Sequence, residues 1–248
     1  MYIRELRAEV WDVKQLEQAL SCDGFRFVYA PMKLLSSDMP HKDKIIAVPP
    51  VFLGDCEEET GEKLKELKAW GYEHALGHTV GHIPLIQNAE LRFHGGARLN
   101  ITNTEAARFF VDQGAQDIVL SCELTAGRIN GLSCSVPKGI IAYGRLPLMI
   151  TRRCPINNGK PCGGEKNCGR TLTDRQGKKI KVLCGNTVEL LNPDILTVAD
   201  KPGDFSSVDF FVMRFTDEKD ILSAADNFQK GIIPEKGFTR GLYYRGVE

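Results

Sequence analysis

The chain has 248 residues, enough to bury the core of one α/β barrel or of two small domains. Its 32 basic and 32 acidic residues cancel, which excludes a global field that would draw the chain to nucleic acid or to a membrane. No apolar run approaches the length of a membrane span, and charges in MYIRELRAEVWD replace the apolar core of a signal peptide. We therefore expect a cytoplasmic protein with reduced thiols and no membrane partner.

Short apolar runs alternate with amphipathic segments along the chain. The predicted strands are 6–11, 25–31, 44–52, 72–77, 91–101, 117–124, 139–150 and 194–200. Predicted helices follow the caps Asp12 and Thr216, and two others run from Asp55 to Trp70 and from about His82 to Ala89. A further predicted helix is capped by Thr102 or Asn103. Strands that alternate with helices indicate a parallel sheet buried on both faces, and about eight such units indicate a closed (β/α)8 TIM-like barrel.

The predicted barrel spans residues 1–205 and includes a Cys-rich loop, 151–184, after its seventh strand. Residues 206–248 are predicted to form a helix and a tail that close the barrel. The loops that follow the strands of such a barrel share one face. We therefore expect the cysteine loop beside Glu123 and Arg145 at the barrel mouth.

The Cys-rich loop contains Cys154, Cys162, Cys168 and Cys184. Apolar side chains are too few there to order the backbone by burial, so a bound metal is the expected source of stability. The cysteines are separated by seven, five and fifteen residues, without the tight CxxC pairs of most zinc sites, which favours an iron–sulfur cluster over zinc. Cysteines that are unliganded or paired are the third alternative. The segment LTDRQGKKIKV is typical of a hairpin that returns Cys184 to the other three. The remaining cysteines, Cys22, Cys56, Cys122 and Cys134, are predicted to be small buried hydrophobes.

Five segments in order, SCEL, AYGRLPLM, CPI, LTDRQG and GFTRGLYYRG, resemble those of peptidase family U32, the collagenase-like proteins. The resemblance covers nearly the whole chain and is strongest to the C-terminal repeat of larger, two-repeat members. Cys122 stands where the SPEL-type strand end of the family has proline. The family fold implied is the same barrel.

The resemblance implies two kinds of activity, because some members were named proteases and others are oxygen-independent hydroxylases. The hydroxylases carry a 4Fe–4S cluster on four cysteines and act on RNA nucleosides or a small aromatic, a ubiquinone precursor, with prephenate as a candidate co-substrate. The sequence has no GxSxG, no HExxH and no evident Cys–His pairing, so peptidase chemistry is the less supported alternative. A third alternative is a non-catalytic repeat for binding or assembly, completed by a second U32 repeat or a partner subunit.

Four residues outside the loop are candidate catalytic groups. Glu123 matches the Glu of the SPEL motif and is a candidate acid or base, or else forms a salt bridge to Arg145. Asn100 matches a family LNxxN pattern, or caps the next helix together with Asn103. Arg145 is suited to pair with a substrate carboxylate such as that of prephenate, and His94 on the fifth strand is a further site candidate.

Two further features bear on the site. His74, His78 and His82 recur at four-residue intervals, but Gly77 and Gly81 interrupt the helix that a metal triad would need. Many U32 members carry an acidic residue four positions before the matching Asn, where this chain has Gly96.

Overall fold

A computed structural model describes residues 4–157, 171–184 and 187–246, and strands alternate with helices over most of them. The strands are β1 (Glu5–Glu9), β2 (Phe27–Pro31), β3 (Ile45–Val48), β4 (His74–Gly77), β5 (Arg92–Gly95), β6 (Ile118–Val119), β7 (Lys138–Gly144), β8 (Pro147–Thr151), β9 (Thr171–Thr173), β10 (Lys179–Cys184), β11 (Val188–Leu191), β12 (Ile195–Thr197), β13 (Phe210–Arg214) and β14 (Phe238–Thr239). The helices are α1 (Val13–Leu20), α2 (Glu57–Ala69), α3 (His82–Asn88), α4 (Thr104–Asp112), α5 (Ala126–Gly131) and α6 (Ile221–Gln229). None of these helices in the described residues has the length and apolar character needed to cross a membrane.

Eight parallel strands of the described chain close into a barrel. Strands β1 to β7 lie side by side in chain order, and β13 pairs with both β7 and β1. Helices connect successive barrel strands from β1 to β7, except between β2 and β3, where two 3-10 turns replace the helix. Between β7 and β13 the described chain forms β8 to β12 and no α-helix. The strands are buried by side chains inside the barrel and by the helices outside it, as a parallel sheet requires. The predicted (β/α)8 fold is confirmed.

The eighth barrel strand lies at a different place from the predicted one. The prediction of residues 194–200 as the eighth strand is wrong: β12 pairs antiparallel with β7 and parallel with β14, outside the barrel. The barrel closes instead through β13, whose five residues are all buried. Residues 195–198 (ILTV) and 210–213 (FFVM) are similarly apolar, so composition alone does not show which segment is the barrel strand. The barrel therefore continues beyond residue 205, into the segment predicted to be a closing extension.

The chain leaves the barrel at Gly144. This residue has a φ of +119°, and a Cβ added to it would lie 2.0 Å from the carbonyl oxygen of Arg214. Only glycine allows β7 to approach β13 so closely in this conformation. The apolar run 139–150, predicted as one strand, is consequently two strands, β7 in the barrel and β8 outside it.

Strands β8 to β11 form a separate antiparallel sheet in the order β8-β11-β10-β9, here called the insertion sheet. Strands β9 and β10 are the two arms of the predicted hairpin, closed by a turn in which Gly177 N–H donates to the Asp174 carbonyl at 3.1 Å. Cys184 ends β10 and faces Val188 across the sheet. The hairpin prediction is confirmed.

A chain of buried polar side chains crosses the barrel interior. Arg7 Nη1 donates to Asp117 Oδ2 at 2.7 Å, and His94 Nδ1 donates to the same oxygen at 2.9 Å. His94 Nε2 lies 2.9 Å from Nδ1 of His74, at the start of β4. Burial disfavours the charged Asp117 carboxylate, but His94 and Arg7 outweigh it and lower the Asp117 pKa. This series of hydrogen-bonded side chains connects β1, β4, β5 and the start of β6, and His94 lies within it, inside the barrel.

Replacing Asp117 by asparagine should destabilise the barrel strongly. Arg7 is compensated by Asp117 and by the partly exposed Glu5; the variant removes the buried charge of the two, and breaking a buried pair costs about 3–5 kcal/mol. Urea denaturation of Asp117→Asn measures the loss in the free energy of unfolding. The matched control is Asp226→Asn, which breaks an exposed pair with Lys230 on α6 and should cost below about 1 kcal/mol. Equal stability of the two variants would contradict the assignment.

The barrel should also lose stability in mild acid. Burial, together with the neighbouring His94, lowers the pKa of His74 to about 4. Between the ordinary value of 6.5 and this value the unfolded chain binds more protons than the folded chain, so the free energy of unfolding falls as the pH drops from 6.5 to about 4. His74→Leu should flatten this slope by up to about 1.4 kcal/mol per pH unit in urea titrations across the range. An unchanged slope in the variant contradicts the prediction.

Candidate functional site

Four charged or polar residues follow the carboxyl ends of the barrel strands. Glu9 ends β1, Arg214 ends β13, His78 follows β4 and Arg98 lies in the 3-10 turn after β5. Because the strands are parallel, these positions lie at one end of the barrel, the end where barrels of this type carry their reactive groups. We call this end the mouth.

A further charged group of the mouth comes from the insertion sheet. Glu189 on β11 accepts from Arg98 Nη2 through Oε1 and from Arg214 Nη2 through Oε2, both at 2.5 Å. Arg214 also donates from Nε to Glu9 at 3.0 Å and from Nη1 to the Arg145 carbonyl at 2.9 Å. The side chains of Arg214 and Glu189 are each only 3% exposed. A desolvated carboxylate therefore joins the insertion sheet to the end of β13 and to the turn after β5.

The charges of this network reinforce one another. Burial opposes ionisation of Glu189, but Arg214 and Arg98 outweigh it and lower the Glu189 pKa. Burial likewise opposes the charge on Arg214, and Glu189 and Glu9 outweigh it and raise the Arg214 pKa. Both side chains stay charged, because the attraction between opposite charges offsets the unfavourable desolvation of each.

A cavity of about 60 Å³ lies beside the network. Its polar lining residues include Glu9, Glu189, Arg98, His78 and Thr187. Its apolar lining residues include Trp11, Pro31, Val48 and Pro49. The cavity thus combines an apolar surface with a few polar groups, the usual composition of a ligand site.

His82 fixes the loop that carries His78. The His78 backbone N–H donates to His82 Nδ1 at 3.0 Å, and His82 Nε2 lies 3.0 Å from the Pro50 carbonyl, to which it donates. His74, His78 and His82 lie on a strand, a loop and a helix, respectively, so they do not share one helix face. Among the described residues no group of three or more His, Cys, Asp or Glu side chains is arranged to hold a metal ion.

The predicted catalytic residues lie in different places. Asn100 accepts from Ser121 Oγ at 2.5 Å, and Glu123 follows β6 with an exposed side chain, so both belong to the mouth loops. His94 lies in the buried chain of the interior. Arg145 donates to the carbonyls of Asn192 and Pro193 and lies 3.4 Å from Asp217.

These positions decide between the alternatives that the sequence left open for Glu123 and for Asn100. The alternative Glu123–Arg145 salt bridge does not form among the described residues, because Arg145 faces the chain that follows the insertion sheet. The capping role is taken by Asn103, whose side chain accepts from Ala106 N–H. Asn100 has a left-handed backbone and bonds to Ser121 instead.

Two of the four predicted cysteine ligands lie within the described residues. Cys154, after β8, and Cys184, at the end of β10, pack in one small apolar cluster with Val182 and Val188. Cys162 and Cys168 lie outside the described residues. The structure therefore brings together the first and last cysteines of the loop, which are thirty positions apart in the chain.

Sequence reasoning missed the residues of the ion network. Glu189 and Arg214 carried a usable signal, because each is a single charge in or beside an apolar run, VELL and FFVMR. A charge in such a position is buried, and a buried charge requires a partner. The partners themselves were not evident, since Arg98 lies 91 residues from Glu189 in the chain.

Comparison with known proteins identifies a family. The sequence model of peptidase family U32 matches residues 46–170, half of the chain. Among solved structures, the U32 peptidase Mk0906 has a TM-score of 0.49 at 10% identity, with 87% of this chain and 94% of that chain covered. A putative phosphonomutase from Burkholderia cenocepacia J2315 has a TM-score of 0.37 at 10% identity, with 56% and 78% covered. No curated protein matches the sequence significantly.

Neutralising Glu189 should release the insertion sheet from the barrel. Glu189→Gln leaves Arg98 and Arg214 without their shared carboxylate, a loss of about 3 kcal/mol, or roughly 100-fold in the opening equilibrium. Amide hydrogen exchange should therefore accelerate by about that factor in β10 and β11, while the barrel strands β2 and β3 keep their protection. Glu105→Gln, which breaks an exposed pair with Arg108, is the control and should leave exchange unchanged. Uniform acceleration of exchange, or none, would contradict the role of Glu189 in holding the insertion sheet to the barrel.

Proposed function

The chain belongs to peptidase family U32, and we propose that it is an iron–sulfur-dependent hydroxylase acting on an RNA nucleoside or a small aromatic. The observation that carries the proposal is the meeting of Cys154 and Cys184 in one apolar cluster of the insertion sheet. Cys184 faces Val188, the residue next to Glu189, whose carboxylate reaches the mouth. Cys184 and the cavity-lining Glu189 thus lie at neighbouring positions of the insertion sheet.

The donor set suits a cluster. Four cysteines in the loop provide the four thiolates that a 4Fe–4S cluster uses, and zinc is the alternative ion for the same set. We propose Cys154, Cys162, Cys168 and Cys184 as the ligands, the second and third of which lie outside the described residues. The apolar neighbours Val182 and Val188 would limit the access of water to the group. When bound, a cluster supplies one-electron redox chemistry that protein side chains do not provide.

The chain's own residues have separate roles in this proposal. Glu189, held by Arg98 and Arg214, keeps the insertion sheet over the mouth and so fixes the distance between cysteines and cavity. The apolar residues of the cavity, such as Trp11 and Val48, and its polar residues, such as Arg98, are the groups that a substrate at the mouth would contact. Glu123, exposed on the loop after β6, is the candidate acid or base at the rim.

The peptidase alternative has less support. A cysteine or serine nucleophile needs a base within hydrogen-bond reach, and no described Ser or Cys side chain bonds to a histidine. Burial raises the pKa of the Cys122 thiol, which keeps it protonated and a poor nucleophile. The non-catalytic alternative, a repeat that binds or assembles with a partner, predicts a protein without either cluster or hydrolysis.

Metal analysis tests the proposal. Protein purified without oxygen should contain about four iron and four sulfide ions per chain, and Cys154→Ser and Cys184→Ser should each lose most of both. Cys56→Ser changes an exposed cysteine outside the loop and should keep the full content. Zinc alone, or iron that survives both loop variants, would reject the cluster. Hydrolysis of collagen or casein that survives iron removal would favour the peptidase. RNA mass spectrometry in cells lacking the gene then identifies an RNA substrate by the loss of one oxygen from a defined nucleotide.

A further inference from the structure

We propose that a groove on the outer surface of the barrel, beside α2, binds a basic peptide segment of a partner protein. The site is independent of the proposed function, because it uses neither the cysteines of the loop nor the ion network of the mouth. The groove has a volume of about 730 Å³, within the roughly 300–1,000 Å³ of sites for drug-sized ligands. It is lined by the turn after β2, the loop after β3 and one flank of α2.

The groove lies where one helix of the outer layer is missing. Between β2 and β3 the described chain has two 3-10 turns instead of the helix that the repeating unit would place there. Helix α2 packs on α3 through one flank, where a Cβ added to Gly61 would lie 3.4 Å from Leu85. The residues Glu59, Lys63 and Glu66 of α2 face the groove instead of a neighbouring helix. This flank of α2 is therefore accessible to a binding partner.

The charges of the groove determine the sign of its ligand. Three glutamates, Glu59, Glu62 and Glu66, and two lysines, Lys33 and Lys63, line it, which leaves one negative charge in excess. Lys33 is included in this count, so the excess does not depend on its pairing. Among the described residues Glu66 pairs with Lys63 at 2.5 Å, whereas Glu59 and Glu62 are exposed and form no ion pair. A lysine or arginine of a partner would be attracted to these carboxylates, and an anionic ligand would be repelled.

The apolar lining of the groove favours a peptide over a simple cation. Met32, Pro50 and the exposed ring of Phe52 line it beside the charged residues. The Phe52 ring already contacts one cation of this chain, since the Arg152 guanidinium carbon lies 5.4 Å from its centroid. A peptide that carries an apolar side chain next to a lysine or arginine would contact both kinds of surface. Because Pro50 also lines the mouth cavity, the bound peptide would lie beside the mouth.

Titration of the full chain with a set of hexapeptides tests the inference. The probe alternates leucine and lysine; in the other peptides glutamine or glutamate replaces lysine, or serine replaces leucine. The probe should bind saturably, the glutamine peptide at least tenfold more weakly, and the glutamate peptide not at all. The serine–lysine peptide should bind about fivefold more weakly than the probe, because it loses the apolar contact.

Variants of the groove should weaken binding of the probe. Glu59→Gln combined with Glu62→Gln should weaken it about tenfold, since the two exposed carboxylates are removed. Phe52→Ser should weaken it about fivefold, through the lost ring. Glu105→Gln, which removes an exposed carboxylate on α4, is the matched control and should bind the probe as the unaltered chain does. Thermal melting shows that each variant is folded before its affinity is compared.

Alkylation of cysteines locates the bound peptide on the unaltered chain, so this measurement does not depend on the folding of any variant. Cys56 is exposed and lines the groove. A saturating concentration of the probe should slow its reaction with iodoacetamide about tenfold, by steric exclusion, and leave that of Cys134 unchanged.

Three results would each overturn the inference. The first is that the glutamine or the serine–lysine peptide binds as tightly as the probe. The second is that the folded double variant of Glu59 and Glu62 binds the probe normally, and the third is that the saturating probe leaves alkylation of Cys56 unchanged. None of these measurements depends on the iron content of the protein, so failure of the groove and failure of the cluster are separate outcomes.

Discussion

The arrangement of this protein depends on one buried carboxylate. Glu189 receives hydrogen bonds from Arg98 and Arg214 at 2.5 Å each, and all three side chains are largely withdrawn from water. Desolvation makes such a group unfavourable by itself, so the position is tolerable only when both guanidinium groups are present. The insertion sheet can satisfy Glu189 in one location, over the mouth. The same contact that orders the sheet therefore determines where its cysteines lie relative to the barrel.

Two polar networks divide the barrel into levels with different roles. The hydrogen-bonded series from Arg7 through Asp117 to His94 and His74 crosses the interior, where each of these side chains has a partner within the series. The network at the mouth includes Arg98, whose Nε and Nη1 have no described partner, beside a cavity. A network enclosed in the interior favours rigidity, whereas donors without a described partner beside an opening favour ligand binding. His94, although chemically suited to catalysis, belongs to the interior network.

Sequence reasoning recovered features that depend on local pattern. The alternation of strands and helices, the cap at Asp12 and the β9–β10 hairpin all follow from spacing within a few residues, and the structure has each of them. The eighth strand failed because the choice between residues 194–200 and β13 depends on which segment reaches both β1 and β7, a contact across the whole chain. The bend at Gly144 decides that choice, and its role requires knowing that Arg214 lies against it. Arg98 was missed for the same reason, since its importance comes from Glu189, whose position depends on the insertion.

Arg98 both holds Glu189 of the insertion sheet and lines the cavity. This connects ligand binding to the position of the insertion sheet. One side of its guanidinium holds Glu189, and the other faces the cavity. A ligand that contacted Arg98 from the cavity would restrict its side chain to the orientation that Glu189 requires. By linkage, a ligand that favours the docked sheet is itself bound more tightly when the sheet is docked. Breaking the contact of Glu189 with Arg98 would therefore weaken binding of a ligand that contacts Arg98. The free-energy cost of ordering the Arg98 side chain would then have to come from ligand binding alone.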